Sequence, residues 1–504
     1  MLEIHTDNPR PAEENTPLVE TVVEKAPPWL FSTAIHFVLM IVLALLVYKL
    51  PPQTTREIIV QPAIELDEAP KIFNVKLGDP NQPVSPVSVD NPNAEPVEIP
   101  ILSPDLEGDE LPQNVGPDVE DPNTLGIGTE DPKRTPIRSL IEGRSEHARG
   151  TAMFNGGGDE TTEMAVLRGL HWLARQQYSK GYWSLLRGPR NHSFDATAVD
   201  NRVAATGMAL LAFQGHGETC ERGQFKENVE RGWSWLLLEQ DDDGCFYRPD
   251  RETQAHLFYT QGICTIAICE LYAMTADPSR KEELRLSAQK AIDFCVNNQT
   301  SGGGWKYGRN DFESDLSVTG WIVMALHSGR IAGLEVPQET LDRVMAFLDD
   351  ITEGGSKYPY QKDMNVTRSM TAEGLLCRQF LGWDRDDPRL LEGANWLIQP
   401  ENLICFTGRD EMNRRNKREV YYWYYATQMF HNFGGRHWKT WNDAMMQPMC
   451  ENQVTKKGEN EGSWDPDRPV RDDYASEGRL YVTCLSIYIL EVYYRYLPIY
   501  RSSW

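Results

Sequence analysis

Positive charge is scarce in this chain: 50 Lys and Arg stand against 74 Asp and Glu over 504 residues, a formal net charge of −24. Phosphate contacts need Lys and Arg, so the balance excludes a general nucleic-acid partner. Paired cysteines are missing too. The nine cysteines (Cys220, Cys245, Cys264, Cys269, Cys295, Cys377, Cys405, Cys450 and Cys484) are odd in number and contain no C-x-x-C. Neither a disulfide framework nor a zinc cluster has its spacing here. Several of them sit inside apolar helical runs, where buried free thiols are expected, so cysteine usage fixes no compartment. His256, His327 and His431 form no H-E-x-x-H or other ligand spacing, and neither metal nor cofactor is expected.

Long uncharged apolar runs are also rare. The one that reads as a membrane span is Trp29 to Leu50. Its stretch from Leu30 to Tyr48 carries no formal charge and is long enough to cross a bilayer as one helix. Trp29 and Tyr48 occupy the places of interfacial aromatics, and Lys49 can snorkel. Residues 1–28 are polar, acidic and Pro-containing, and are expected to be disordered. An acidic front end without a small-residue cleavage site argues for a retained single-pass anchor rather than a signal peptide. Residues 51–160 read as a tether. Between 51 and 150 there are sixteen prolines and 19 acidic against 8 basic residues, a composition that extends and resists packing. Lys25 precedes the span, whereas Lys49 and Arg56 come after it. That count slightly favours a cytoplasmic location for the C-terminal part of the chain. Ser32-x-x-x-His36 inside the span, with Pro-Trp before it and a Pro-rich stretch after it, resembles the anchor of TonB-type energy transducers. That resemblance implies a periplasmic chain, with Ser32 and His36 facing an ExbB/ExbD-like, proton-driven motor partner. The periplasmic reading is preferred.

Residues 161–500 are repetitive. Arg168-Gly-Leu-His-Trp172-Leu-Ala-Arg-Gln-Gln177 is followed by Gly181-Tyr-Trp183. Arg231-Gly-Trp-Ser-Trp235-Leu-Leu-Leu-Glu-Gln240 is followed by Gly244-Cys-Phe246, and Lys290-Ala-Ile-Asp-Phe294-Cys-Val-Asn-Asn-Gln299 by Gly303-Gly-Trp305. Weaker copies centre on Phe347 and Trp396, and a last one runs from Trp441 to Gln453 and closes at Gly462-Ser-Trp464. Self-similarity at this period means stacked supersecondary units. Between the copies lie apolar helical runs: Asn201–Gln214, His256–Thr275, Asp315–Gly329, Thr367–Leu381, Tyr421–Phe433 and Gly478–Leu497. Together these make six helix pairs. Each Gln is expected to bond open groups at the end of the next helix, with the aromatic packed beside it.

These repeats resemble the QW motifs of the squalene–hopene cyclase and protein prenyltransferase β-subunit superfamily. The resemblance implies an all-α fold, an α6/α6 toroid with an inner ring of helices inside an outer one. It also implies where chemistry would sit. Cyclases of the family protonate an alkene with Asp-x-Asp-Asp-Thr at the start of an inner helix, and the matching place here reads Asp315-Leu-Ser317-Val318-Thr319. Only the first Asp and the Thr remain, so Asp315 is the one candidate acid. The literal string Asp384-Arg-Asp386-Asp387 precedes Pro388, where carboxylates suit a helix start. The zinc of the prenyltransferases would need a Cys where Ser317 stands, and the Cys-Gly-Glu-Gln string of thioester toroids is absent.

What remains is aromatic. Tyr421, Tyr424 and Tyr425 share one face of an inner helix, and His256, Tyr259, Trp321, Tyr481 and Tyr488 are expected to join them around a cavity. Such a lining suits an apolar, isoprenoid-like ligand or a partner peptide. The sequence therefore reads as a membrane-anchored toroid, non-catalytic or divergent. The alternatives are an active terpene cyclase with Asp315 as acid and an energy-coupled envelope component.

Overall fold

A computed structural model describes residues 133–186, 200–247, 256–406, 409–410, 415–416 and 418–500. The tail 1–28, the span 29–50 with Ser32 and His36, and the tether as far as residue 132 lie outside the described residues.

After a 3-10 turn at Ile137–Arg144 and the short helix α1 (Glu146–Gly156), twelve helices alternate between two environments. The outer ones are α2 (Glu160–Gln176), α4 (Lys226–Leu237), α6 (Pro278–Asn297), α8 (Gln338–Ile351), α10 (Pro388–Leu397) and α12 (Gly435–Glu451). Each buries one stripe. The inner ones are α3 (Arg202–Gly215), α5 (Leu257–Met274), α7 (Leu316–Ile331), α9 (Arg368–Phe380), α11 (Val420–Phe433) and α13 (Gly478–Leu490). These are buried on nearly every side, as helices apolar all round must be. One of them, Leu257–Met274, is apolar and long enough to cross a membrane but is 78% buried inside the ring. Each inner helix packs on the next, from α3 through to α13, and α13 returns to α3. The contacts close a six-membered inner ring wrapped by six outer helices, the α6/α6 toroid that the repeats imply. A short last helix, α14 (Val492–Arg495), comes after it.

Local chemistry sets the helix starts. Asp159 and Thr162 form a capping box on α2. Asn201, Asp315 and Thr367 cap α3, α7 and α9 with side-chain oxygens. Asp387 caps α10 just ahead of Pro388, so the Asp384-x-Asp386-Asp387 string serves a helix start.

The repeat motif is a three-part staple. Gln177 Nε2 donates to Gly181 O at 2.8 Å and to Asn228 O of the next outer helix at 2.9 Å. Gln240 does the same to Gly244 O and Ser287 O, and Gln299 to Gly303 O and Thr340 O. Gln453 closes the circle, donating to Gly462 O at 2.9 Å and to Ala165 O of α2 at 2.8 Å. The indoles of Trp183, Trp305 and Trp464 each donate at 2.8 Å to a carbonyl of their own outer helix. Their backbone N–H groups donate inward to Thr206, Thr319 and Thr483. Thr319, the surviving Thr of the degenerate acid motif, is therefore part of a staple. Each turn glycine (181, 244, 303, 462) has φ between +89° and +101°, and a Cβ there would run into the carbonyl oxygen of Arg231, Lys290, Arg343 or Arg168. Only Gly fits. Among the motif aromatics, Trp172 and Phe294 are buried, while Trp235 is half-buried against Tyr182.

The tether is shorter than its composition suggests. Residues 133–160, which read as linker in the sequence, are folded against the toroid. Arg134 donates to Gln379 O and Trp383 O, and Thr135 to Pro498 O. Arg144 makes two bonds to Glu270, at 2.8 and 3.0 Å. Arg495 holds the same carboxylate at 3.2 Å and Glu491 at 3.0 Å. All four charged side chains are at most 3% exposed. Burial pushes the Glu270 carboxyl up, but Arg144 and Arg495 outweigh it and hold it below the usual range. This cluster, with Leu140 and the final residues, closes the end of the ring where the inner helices finish. Beside it lies a cavity of about 20 Å³, lined among others by Leu140, His327, Phe380, Gln428 and His431, with room for one water.

Three outcomes are expected. Gln453→Ala leaves the buried Gly462 carbonyl without its donor and removes the bond to Ala165 across the ring, and should cost about 1–3 kcal/mol, whereas Gln399→Ala, whose amide reaches only Asn395 O on the surface, should stay within about 0.5 kcal/mol. Equilibrium urea unfolding compares them. Glu270→Ala strands two buried arginines and should cost about 3–5 kcal/mol by the same measurement. Burial lowers His327 and His431 from 6.5 to about 3, so between those values the unfolded chain binds more protons. Their contribution is complete above the unfolded value and declines by about 1.4 kcal/mol per pH unit per histidine as the pH falls. A stability–pH profile of His431→Gln should be shallower than wild type between about pH 6 and 5.

Candidate functional site

The inner helices run parallel, because their first turns bond one another and so do their last. At the start, Asn201 Nδ2 donates to Thr260 Oγ1 at 2.9 Å, the Tyr259 hydroxyl bonds Ser317 Oγ at 2.6 Å, and Ser369 and Arg368 hold Glu419. At the finish, Gln214 donates to Ala267 O and Gln379 to Met429 O. The finish is the closed floor. The start is a rim, and the half-buried aromatics collect there.

Tyr259, Tyr307, Tyr360, Tyr474 and Tyr481 are all half-buried at this rim. Tyr474 stacks on Tyr421 with centroids 5.0 Å apart on one side and on Tyr481 at 6.0 Å on the other. Tyr307 and Tyr360 bond through their hydroxyls. The loops that carry them are joined by Leu316 N to Tyr360 O at 2.9 Å and Gln361 Nε2 to Ser314 O at 3.0 Å. The same loops leave Phe312 83% and Met364 52% exposed. The mouth is therefore aromatic, with apolar side chains at its edge.

Below the rim the rings fill the space. Trp321, Tyr421, Tyr424, Tyr425 and Tyr488 are each at most 5% exposed. Trp321 stacks on Tyr424 at 5.7 Å, and Tyr424 meets Tyr425 at 5.2 Å and Tyr488 at 5.6 Å. Tyr488 donates to Met208 O. Of the eight lining residues expected from the sequence, His256, Tyr259 and Tyr481 reach the mouth, and the other five form a packed aromatic layer beneath it. His256 faces Asn201 at 3.4 Å.

Asp315 sits at the foot of the mouth, wholly buried. Its Oδ1 accepts from Val318 N at 2.8 Å and from Ser317 Oγ at 3.0 Å. Its Oδ2 makes no hydrogen bond among the described residues. Burial pushes this carboxyl up, opposed by the Val318 N–H, by Tyr360 and Ser317, and by the charge of Lys306. A second acid escaped sequence reasoning. Glu373, one carboxyl within the apolar run of α9, is fully buried and accepts from Tyr421 Oη at 3.0 and 3.2 Å. It fits because Gly320 has no Cβ for its Oε1 to meet. Burial holds it well above the usual carboxylate range, against the phenols of Tyr421 and Tyr425. The signal was a lone carboxyl inside an inner helix, which is costly unless it is paired or neutral.

Among the described residues, no group of three or more His, Cys, Asp or Glu could hold a metal ion. Asp241 to Asp243 lie in the turn between Gln240 and Gly244, with Asp243 paired to Arg309 at 2.8 Å.

No family model and no curated protein matches the chain. Solved structures with a similar path include the type II terpene cyclase MstE from Scytonema, in a variant bound to geranylgeranyl dihydroxybenzoate. It is 12% identical, with a TM-score of 0.43, over 67% of this chain and 97% of that one. A protein from Actinoplanes is 14% identical with a TM-score of 0.41, over 66% and 99% of the two chains. An inactive variant of an alpha-1,6-mannanase of Salegentibacter sp. HEL1_6, bound to alpha-1,6-mannotetrose, is 10% identical with a TM-score of 0.45, over 67% and 99%. The toroid stands on the helix contacts described above, not on these likenesses.

Proposed function

We propose that the toroid is a membrane-anchored binding module, non-catalytic or divergent as a cyclase, that takes an apolar, isoprenoid-like ligand or an apolar partner peptide at the mouth of its inner ring. The observation that carries this reading is the half-buried Tyr474, stacked on Tyr481 at the rim and on Tyr421 of the packed layer beneath. Apolar rings around a few polar groups are the usual make-up of a small-molecule site. Against acid-started cyclisation stands the motif itself. Ser317 and Val318 replace the neighbouring carboxylates, and Ser317 spends its proton on Asp315.

A second reading keeps cyclase chemistry, because burial favours the protonated forms of Asp315 and Glu373. A third makes the chain a TonB-like envelope component. Its toroid would be periplasmic, and Ser32 and His36 would meet an ExbB/ExbD-like motor in the membrane. It rests on the sequence of the span alone.

The detergent-solubilised full chain should yield a co-purifying polyisoprenoid by native mass spectrometry and lipid extraction. Replacing both Tyr474 and Tyr481 by Ala should lower its occupancy about tenfold, the loss of two ring contacts. A chain that is empty and stays empty when polyisoprenoid is added would sink the ligand reading. Incubation with squalene or a prenyl diphosphate should give no cyclised product. A product abolished in Asp315→Asn would install the cyclase reading instead. For the envelope reading, His36→Ala should abolish the cellular phenotype while membrane insertion stays unchanged, and a wild-type phenotype would remove it.

A further inference from the structure

The cavity of about 20 Å³ at the floor is walled by α7, α11 and the chain from Val492 to Ile499, among others. Several polar side chains around it are already bonded: Tyr488 to Met208 O, Tyr496 to Glu270, and Asn432 Nδ2 to Gln379 Oε1. Three others have capacity left. Arg495 spends its terminal nitrogens on Leu211 O, Glu491 and Glu270, and its Nε–H bonds nothing among the described residues. Gln428 Nε2 carries two hydrogens, and the Tyr424 hydroxyl draws one at most, so one is left. The His327 ring stacks on Phe380 with centroids 4.1 Å apart, and its Nδ1 bonds nothing among the described residues. All three side chains are at least nine-tenths buried, and a buried polar atom without a partner is costly. That all three line one cavity calls for one shared partner.

Space and charge decide what that partner is. The cavity has room for one water and for nothing larger. An anion would accept from Arg495 and Gln428, but Glu270 and Glu491 flank the guanidinium. The inner helices also finish at this end, with the negative ends of their dipoles. A cation would meet two N–H groups. A water suits the site, because it accepts two hydrogens and has two of its own to give. Burial lowers His327 from 6.5 to about 3, so near neutral pH its ring has one proton and one acceptor nitrogen. We infer that the floor cavity binds a single ordered water, which accepts from Arg495 Nε and Gln428 Nε2 and donates to His327 Nδ1. That donation places the ring proton of His327 on Nε2. The water joins α7, α11 and α14, and it extends the Arg144–Glu270–Arg495 cluster by one hydrogen bond into the inner ring.

Crystals of the full chain in detergent, grown in bromide, test the site directly. The expected result is a density peak about 2.7–3.2 Å from all three atoms, with no anomalous signal at the bromine edge. An anomalous peak there would make it an anion site and overturn the proposal. So would a featureless cavity in a map that shows other buried waters. The tautomer is an independent test. Nitrogen NMR of the full chain with isotope-labelled histidine should show His327, assigned by its loss in His327→Gln, with its proton on Nε2. A proton on Nδ1 overturns the assignment. Gln428→Met fills similar space and donates nothing, so the water loses a partner and the Nδ1 resonance should move toward that of a free acceptor. An unmoved resonance removes Gln428 from the site and overturns the three-way bridge. If Gln428→Met fails to fold, the density and the tautomer of the wild type decide.

Discussion

A ring of helix pairs meets one problem at four of its six turns: where an outer helix stops and the chain turns inward, the carbonyl of the turn glycine is left without a backbone donor beside the flank of the next outer helix. The Gln side chain solves it, because an amide NH₂ carries two hydrogens in one plane and can serve the carbonyl of its own turn and that of the next unit together. Everything else in the repeat serves to place that amide. The turn glycine must lie at positive φ so that its carbonyl faces the amide, and the absent Cβ lets the next helix come close. The indole pins the turn to its own helix, and the inner-helix Thr takes the turn's backbone N–H. Gln453 bonding Ala165 across the first and last units turns a stack into a closed ring.

A closed ring of parallel inner helices has two unlike ends. At the end where they finish, carbonyls point outward, and cations are what that end favours. Arg144 and Arg495 lie there, carried by segments before and after the toroid, with Glu270 and Glu491 balancing them. At the other end, N–H groups point outward and are taken by caps such as Asn201, Asp315 and Thr367. The floor is sealed by charge and by the chain's own flanking segments, whereas the rim carries half-buried phenols.

The toroid was legible because its signal is local and repeated. Gln177, Gln240 and Gln299 recur with the same neighbours, and one contact type explains all three. What failed to show was long-range and single. Residues 133–160 hold one proline, Pro136, but are rich in charge, yet Arg144 finds Glu270, 126 positions away, and a charge with a buried partner no longer resists packing. Glu373 is one residue whose surroundings come from Gly320 and Tyr421 on other helices. The shared face of Tyr421, Tyr424 and Tyr425 could be read from helical spacing. Whether that face lines space or meets other rings depended on Trp321 and Tyr488, which arrive from other inner helices. Sequence placed the rings at the axis, and only the opposing helices could say that most of them touch each other.

Asp315 differs from the acid that its position suggests for a related reason. A carboxyl that starts cation chemistry has to keep a proton on an oxygen facing the substrate, which needs a neighbour that takes charge or receives a hydrogen bond from that proton. Here the neighbour at 317 is a donor, and its proton points at Asp315. The effect runs the opposite way, because each donor on a carboxylate favours the charged form. Burial pushes against this, but burial alone selects no direction for the proton. Burial holds the Glu373 carboxyl well above the usual carboxylate range, and it is turned toward Tyr421 and Gly320 within the packed layer, not toward the rim. The acid nearer the rim therefore accepts from its own neighbours, and the acid that burial raises furthest lies away from the rim. On the binding role proposed above, such a mouth holds a ligand and does not protonate it.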